Sequence, residues 1–517
     1  MNMKNIIWLS FLLLAFGGCY DDKGNYDYTE SNGITIDLKS TMYTAVAGET
    51  INIEPTFTFA LDSNENGLTY EWKLGNQFLS DKRNLSFYVD TIMKENCYLR
   101  VLDTKTGITY LAYTTFDLTE KHNTQGWMIL SEKDGGSYLT YIREQSAGSS
   151  YNYVEYPGVY EEENHVKLGG KPVGLLEHFY YRTTSSNTWV LQEGGETVDL
   201  SGRSFKQEIT LKESFLDEQL PANFSPLKMV EMRWISAVID KNDHKVYTRK
   251  KIADNSYFTG SYLNNPLEYE GKVVYATNFV IAPFMSPGYT LMVEGEKGHQ
   301  RYLALIDKDK SSAGKVLSFK INEGYKDGFS HLDDLGNMEI VYTGYSREVT
   351  GSILSIKYHS ILKSSEGAYY YQDFVVTPLS NTNAIFATPG IQVKLDAGIN
   401  IDEKTLFYVL PYPAASYMMI ANGADLYMIK RANIGSENMA SFVTLYKHFE
   451  SNITAMNAED YNSYRLGVGL ENGKFYVLNM NEGILDETKR VLYEAKANVG
   501  KVVDIRYKVQ RVNNWSN

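Results

Sequence analysis

The sequence predicts an all-β protein, with an immunoglobulin-like sandwich followed by a β-propeller-like domain of about seven blades. Three observations predict it. Short runs of alternating apolar and polar residues, bounded by turn residues, recur along the whole chain. Tyrosine is abundant, 41 of 517 residues, and proline is scarce at 12; with many Thr, Val and Ile this composition favours strands. From residue 126 onward a hairpin unit recurs about every 56 residues, a spacing suited to four-stranded blades.

Residues 1–18 read as an export signal. Lys4 supplies a short positive region, and Ile6 to Phe16 is apolar apart from Ser10. The run is shorter than the roughly 20 residues a membrane span needs. Gly17-Gly18 then precedes Cys19, and this stretch resembles a bacterial lipobox, in which the cysteine is acylated and becomes the new N-terminus. Phe16 stands where the lipobox pattern has Leu. Residues 19–33 are polar and read as a flexible tether behind a lipidated Cys19. Asp21 and Asp22, just after the cysteine, resemble the surface-export signal of Bacteroidetes lipoproteins.

Residues 34–118 predict about seven strands. Ile51, Ile53, Phe57 and Phe59 share one parity; Tyr70, Trp72 and Leu74 repeat it, with Trp72 expected at the centre of a sandwich. Residues 119–125 are polar and read as a linker. Residues 126–517 hold the hairpins. Trp127–Ser131 pairs with Tyr138–Ile142, Trp189–Leu191 with Thr197–Leu200, Ala237–Ile239 with Lys245–Thr248, and Thr290–Val293 with Tyr302–Ile306. Ile340–Tyr342 is answered by Ile353–Tyr358 across a longer loop. Tyr417–Ile420 and Leu466–Leu470 turn back at Asn422-Gly423 and Asn472-Gly473, the strongest short hairpin signal. Val502 to Tyr507 is expected to pair into the first blade and close a ring, which removes exposed sheet edges.

Charge and cysteine count narrow the function classes. A net charge of -13 argues against nucleic acid and against a basic membrane-binding face, so lipid contact would come through the anchor. There are two cysteines; with Cys19 lipidated, Cys97 has no intrachain partner and no disulfide framework exists. Gly-x-Ser-x-Gly, His-Glu-x-x-His and Walker A motifs are absent, and the eight histidines are scattered. Asp62 to Gly67 matches the first half of a calcium loop, but Lys73 stands where the bidentate Glu belongs. Acidic runs such as Glu161 to Glu163 lie on single loops and do not supply the facing carboxylates of a glycosidase. The expectation is therefore no catalytic residue, no metal and no cofactor. Tyr369, Tyr370 and Tyr371, with Tyr408 and Tyr412, are the densest aromatic clusters and the candidates for contact with a sugar or peptide.

The chain from Cys19 to Tyr28, the Tyr70-Glu71-Trp72 strand and the Gly126-Trp127 opening resemble the PKD-like family lipoproteins of Bacteroidetes. The resemblance implies an outer-membrane, lipid-anchored protein facing the cell exterior. It implies a SusC-like transporter and a SusD-like lipoprotein as partners in nutrient uptake, with an oligosaccharide or peptide as ligand. It brings no catalytic site. A propeller glycoside hydrolase or lyase, and a scaffold that binds only proteins, are the two other function classes the sequence allows.

Overall fold

A computed structural model describes residues 31–147, 150–179, 186–252, 259–281, 288–296, 299–321, 324–350, 353–376, 383–411, 416–459, 464–481 and 487–509. Cys19, Asp21, Asp22 and Tyr412 lie outside them. The chain divides into two compact units, Met1–Thr119 and Glu120–Asn517.

The first unit is a sandwich of nine strands among its described residues. Its main sheet runs Met42–Val46, Thr109–Thr119, Met93–Asp103, Leu68–Leu74, Gln77–Ser80, the first pair parallel. Ile34–Asp37 pairs with Thr56–Phe59, and Thr50–Ile53 with Leu85–Tyr88. The sequence predicts about seven strands, and part of the difference lies at Glu54-Pro55. Proline lacks a ladder donor, so the run Ile51 to Phe59 splits into two strands that pair with different partners. Alternation places Trp72 and Leu74 inward, and Trp72 is fully buried among Ile53, Leu85, Cys97, Leu99 and Phe116. Its indole N–H donates to the Lys82 carbonyl at 3.0 Å. Cys97 is buried and free, and burial pushes its thiol up to about 12.

The second unit is a seven-bladed propeller. From the axis outward, blade two is Lys171–Phe179, Ser186–Glu193, Val198–Leu200, Gln207–Thr210. Blade three is Pro226–Glu231, Ile235–Asp240, Val246–Lys250; blade four is Ala276–Val280, Tyr289–Glu294, Arg301–Ile306, Val316–Ile321. Blade five is Glu339–Thr350, Ile353–Lys363, Tyr369–Val376, Ile385–Lys394; blade six is Leu406–Val409, Tyr417–Asn422, Asp425–Lys430, Thr444–His448. Blade seven is Ile453–Ala458, Arg465–Leu470, Phe475–Asn479, Val491–Glu494. Blade one takes Gly126–Lys133, Gly136–Ala147 and Ser150–Pro157 from the start of the unit and its innermost strand, Lys501–Lys508, from the end. Each innermost strand packs on the innermost strand of the next blade, and the circuit closes from blade seven back to Lys501–Lys508.

Packing explains the sequence pattern. A blade's second strand is covered by neighbours on both faces, so it needs a continuous apolar run and not an alternating one. Trp127-Met128-Ile129-Leu130, Ile235–Asp240 and Tyr417-Met418-Met419-Ile420-Ala421 are buried throughout. Blades four and five depart from simple separation: their outermost strands pair in parallel, Phe319 opposite Ile385, and merge the two into one eight-stranded sheet. At both Asn-Gly turns only the glycine takes positive φ, 60° at Gly423 and 88° at Gly473.

Ring closure is built around a buried charge cluster. Trp127 lies opposite Tyr507 and Ile129 opposite Ile505. Gly467 lets blade seven approach, because a Cβ there would sit 2.7 Å from the Trp127 ring. Glu144 accepts the Trp127 indole N–H at 2.8 Å and the Tyr507 hydroxyl at 2.6 Å, and it pairs with Arg465. Arg465 also donates to Glu459 from Nε at 2.8 Å. All three charged side chains are buried. Arg465→Met leaves two buried carboxylates without their cation and is expected to cost about 3–5 kcal/mol. Urea unfolding followed by tryptophan fluorescence checks this; an unchanged midpoint would show that the cluster does not hold the ring shut.

Candidate functional site

The seven innermost strands enclose an axial cavity of about 380 Å³. Each blade contributes to its wall: Arg506 from blade one, Leu175 from two, Lys228 from three, Asn278 from four, Tyr345 from five, Tyr408 from six and Asn457 from seven. Its volume lies at the low end for small-ligand pockets.

Polar groups from neighbouring blades fix this wall. Asp504 and Arg506 lie two apart on one strand, so their side chains share a face. Together they clamp the Leu175 peptide of blade two: Asp504 accepts its N–H at 2.8 Å, and Arg506 Nε donates to its carbonyl at 3.1 Å. Arg506 also pairs with Asp504 at 3.3 Å and donates to the Asn457 amide oxygen at 2.9 Å. Glu177 accepts the Val509 N–H at 2.8 Å. The Tyr342 hydroxyl accepts the Val409 N–H at 2.8 Å, and the Tyr408 hydroxyl accepts the Ala458 N–H at 2.9 Å, so each tyrosine binds its own blade to the next.

Lys228 differs from these residues. It follows Leu227 and precedes Met229 and Val230, inside an apolar strand. Its side chain is half-buried and lines the cavity. Burial first, and then the Arg506 guanidinium, push it below the ordinary lysine range, while Asp504 acts the other way.

Of the aromatic candidates, Tyr408 lies in the cavity wall. Tyr369, Tyr370 and Tyr371 form part of the third strand of blade five, away from the axis, where alternation sends neighbours to opposite faces. Tyr371 is buried against blade six, Tyr370 packs on the core shared by blades four and five, and Tyr369 lies under the Lys363 ammonium, 5.7 Å from its ring centre. Lys228, Asp504 and Arg506 escape motif reasoning. Lys228 is flanked by Leu227 and Met229, and Asp504 and Arg506 alternate with Val503, Ile505 and Tyr507, and neither pattern marks a site.

A second polar cluster has the residue types of a catalytic relay. Ser346 lies 2.7 Å from His359 Nε2, His359 Nδ1 lies 2.5 Å from the Tyr371 hydroxyl, and Tyr371 donates to Asp373 at 3.1 Å. Arg431 also points at Nε2, at 3.0 Å. With two donors on Nε2, the ring proton belongs on Nδ1, which donates to the Tyr371 hydroxyl, while Ser346 and Arg431 share the one lone pair of Nε2. Burial, with Arg431 and Lys357 beside it, holds the imidazole well below its usual range and neutral. Ser346 is fully buried and has no route to a substrate, so the cluster locks blade five to blade six. Among the described residues no three His, Cys, Asp or Glu side chains converge as a metal site.

An all-β sandwich joined to a seven-bladed propeller with an axial cavity defines the class of protein. Residues 19–172 match the PKD-like family, a span from Cys19 through the sandwich and into the start of blade two. Among solved structures, a quinonprotein alcohol dehydrogenase-like protein from Bacteroides thetaiotaomicron is similar, at 12% identity and a TM-score of 0.39, over 91% of this chain and 96% of that one. No curated protein matches.

The neutral histidines set a pH dependence. Burial is the main reason that His359 and His122 titrate below their ordinary value. The unfolded chain therefore binds protons that the folded one refuses. Stability is fully present above about pH 6.5 and falls as the pH drops below it. Unfolding midpoints at pH 7.5 and 5.5 should differ, and His359→Gln should remove part of the difference; equal midpoints for the native protein would contradict the buried, neutral assignment.

Proposed function

We propose that this protein is a non-catalytic lipoprotein of the outer-membrane surface, anchored through Cys19 and routed outward by Asp21 and Asp22. Its partners are a SusC-like transporter and a SusD-like lipoprotein, and the propeller binds or presents an oligosaccharide or peptide for import. The observation that carries the reading is the PKD-like family match, which begins at the cysteine of the lipobox-like stretch. The axial cavity supports ligand binding, because it combines the Tyr345 and Tyr408 rings with the Asn278 and Asn457 amides. A sandwich between anchor and propeller in chain order suits a spacer.

Mild detergent extraction of the outer membrane, affinity capture of the chain and mass spectrometry of its companions test the partners. Recovery of a SusC-like or SusD-like protein is expected; repeated recovery without either would sink the import reading. Cys19→Ala is expected to abolish lipid labelling and release the protein from the membrane, and a labelled, membrane-bound variant would refute the anchor. Incubation with glycans and peptides should give saturable binding without turnover. Cleavage of either, lost on single Asp or Glu substitution, would replace this reading with an enzyme.

A further inference from the structure

We propose that the axial cavity is an anion site whose ligand carries a carboxylate, received by Lys228 with Arg506 beside it. This deepens the nutrient-capture reading and rests on it.

The argument starts from charge accounting inside the cavity. The Lys228 ammonium makes no hydrogen bond and no ion pair among the described residues. A half-buried ammonium with no protein partner keeps water or takes an anionic ligand. The groups around it do not supply the missing anion. Asp504 is already committed: Oδ2 takes the Leu175 N–H and pairs with Arg506, and Oδ1 takes the Ile505 N–H at 2.9 Å. Glu177, the other acid of the wall, accepts the Val509 N–H, and its charge acts on the buried Lys508 ammonium. Two cations, Lys228 and Arg506, and two carboxylates, Asp504 and Glu177, therefore stand at this wall, and of the four it is the Lys228 ammonium that has no direct protein partner among the described residues. The negative charge of an incoming carboxylate would favour the charged lysine and so offset its desolvation and its repulsion by Arg506.

Shape and lining narrow the ligand. About 380 Å³ suits a residue or two of sugar or peptide and no longer segment. The Tyr345 and Tyr408 rings offer apolar faces, and Asn278 offers an amide. The carboxylate can belong to an acidic sugar or to the C-terminus of a short peptide, and the chemistry at Lys228 is the same.

Isothermal titration of the purified full chain separates these sources. The probes are digalacturonate against its methyl ester, and dialanine against its C-terminal amide. The free acid of one pair is expected to bind at least tenfold tighter than its neutral form, and the pair that does so identifies the source. Lys228→Met should abolish that preference, and Lys228→Arg should retain it. Lys228→Met should also unfold at the same or a higher urea concentration than the native protein, because it removes an unpaired charge. A lower midpoint would show that the lysine serves the fold, and it would overturn the proposal. Equal affinity for acid and neutral forms, or a preference that survives Lys228→Met, would overturn it too. Neutral-sugar binding lost on Tyr408→Ala would then leave nutrient capture standing without an anion site. Capture without importer companions would instead strike the reading on which the proposal rests.

Discussion

The pairing of Lys501–Lys508 with Gly126–Lys133 is the constraint on which the propeller depends. Blade one exists only when the end of the chain returns to its start. Until then Trp127, Ile129 and Ile142 lack the Val502, Ile505 and Tyr507 side of their core. The strand also brings Asp504 and Arg506, which clamp the Leu175 peptide of blade two. Closure, the first-to-second blade contact and the Asp504–Arg506 pair beside the cavity thus share one strand. The circle is a long-range contact that must form late, because its two ends are far apart in sequence.

Buried charge recurs through the propeller, and it is nearly always paired among the described residues. In blade three, Glu231 meets Arg249 at 2.7 Å and Lys251 at 3.0 Å. Burial would raise its carboxyl, but Lys251 and Arg249 prevail and hold it at about 2. His178 and Asp199 pair at 2.9 Å in blade two, and Asp307 of blade four receives three backbone N–H groups of the Arg233–Ile235 turn in blade three. Such groups contribute little net stability against an apolar alternative, but each tolerates only its own partner. The Asp307 contact, which joins blade four to blade three, therefore fits a role in fixing which blade faces which, and in this setting the ammonium of Lys228 stands out for having no direct partner.

Much of the propeller was legible because a blade's second strand is covered on both faces. That produces apolar runs too regular to miss, and six of the seven predicted hairpins join a second strand to a third. In blade five the predicted pair joins the first and second strands instead. Its second strand, Ile353–Lys363, carries Ser355, Lys357, His359 and Ser360, and the polar cluster that locks blades five and six breaks the apolar signature. The closing strand was legible from its alternation. The cavity was not, because no local pattern tells that Lys228 and Arg506, separated by hundreds of residues, face one space.

The tyrosine excess reads differently once the blades are in place. A tyrosine between blades offers an apolar ring to the interface and a hydroxyl to the backbone or side chain beyond it. Tyr342 and Tyr408 accept N–H groups of the next blade. Tyr302 of blade four meets Thr343 and Ser360 of blade five at 2.9 and 2.7 Å, and Tyr493 of blade seven donates to Glu155 of blade one. Phenylalanine would fill the same volume and leave these partners unsatisfied, at a cost of about 1–3 kcal/mol for each buried group. Tyrosine density alone is therefore a poor guide to a binding surface in this fold. Position at the axis is the better one, and of the described tyrosine candidates it selects Tyr408, whose ring faces the cavity while its hydroxyl is already engaged.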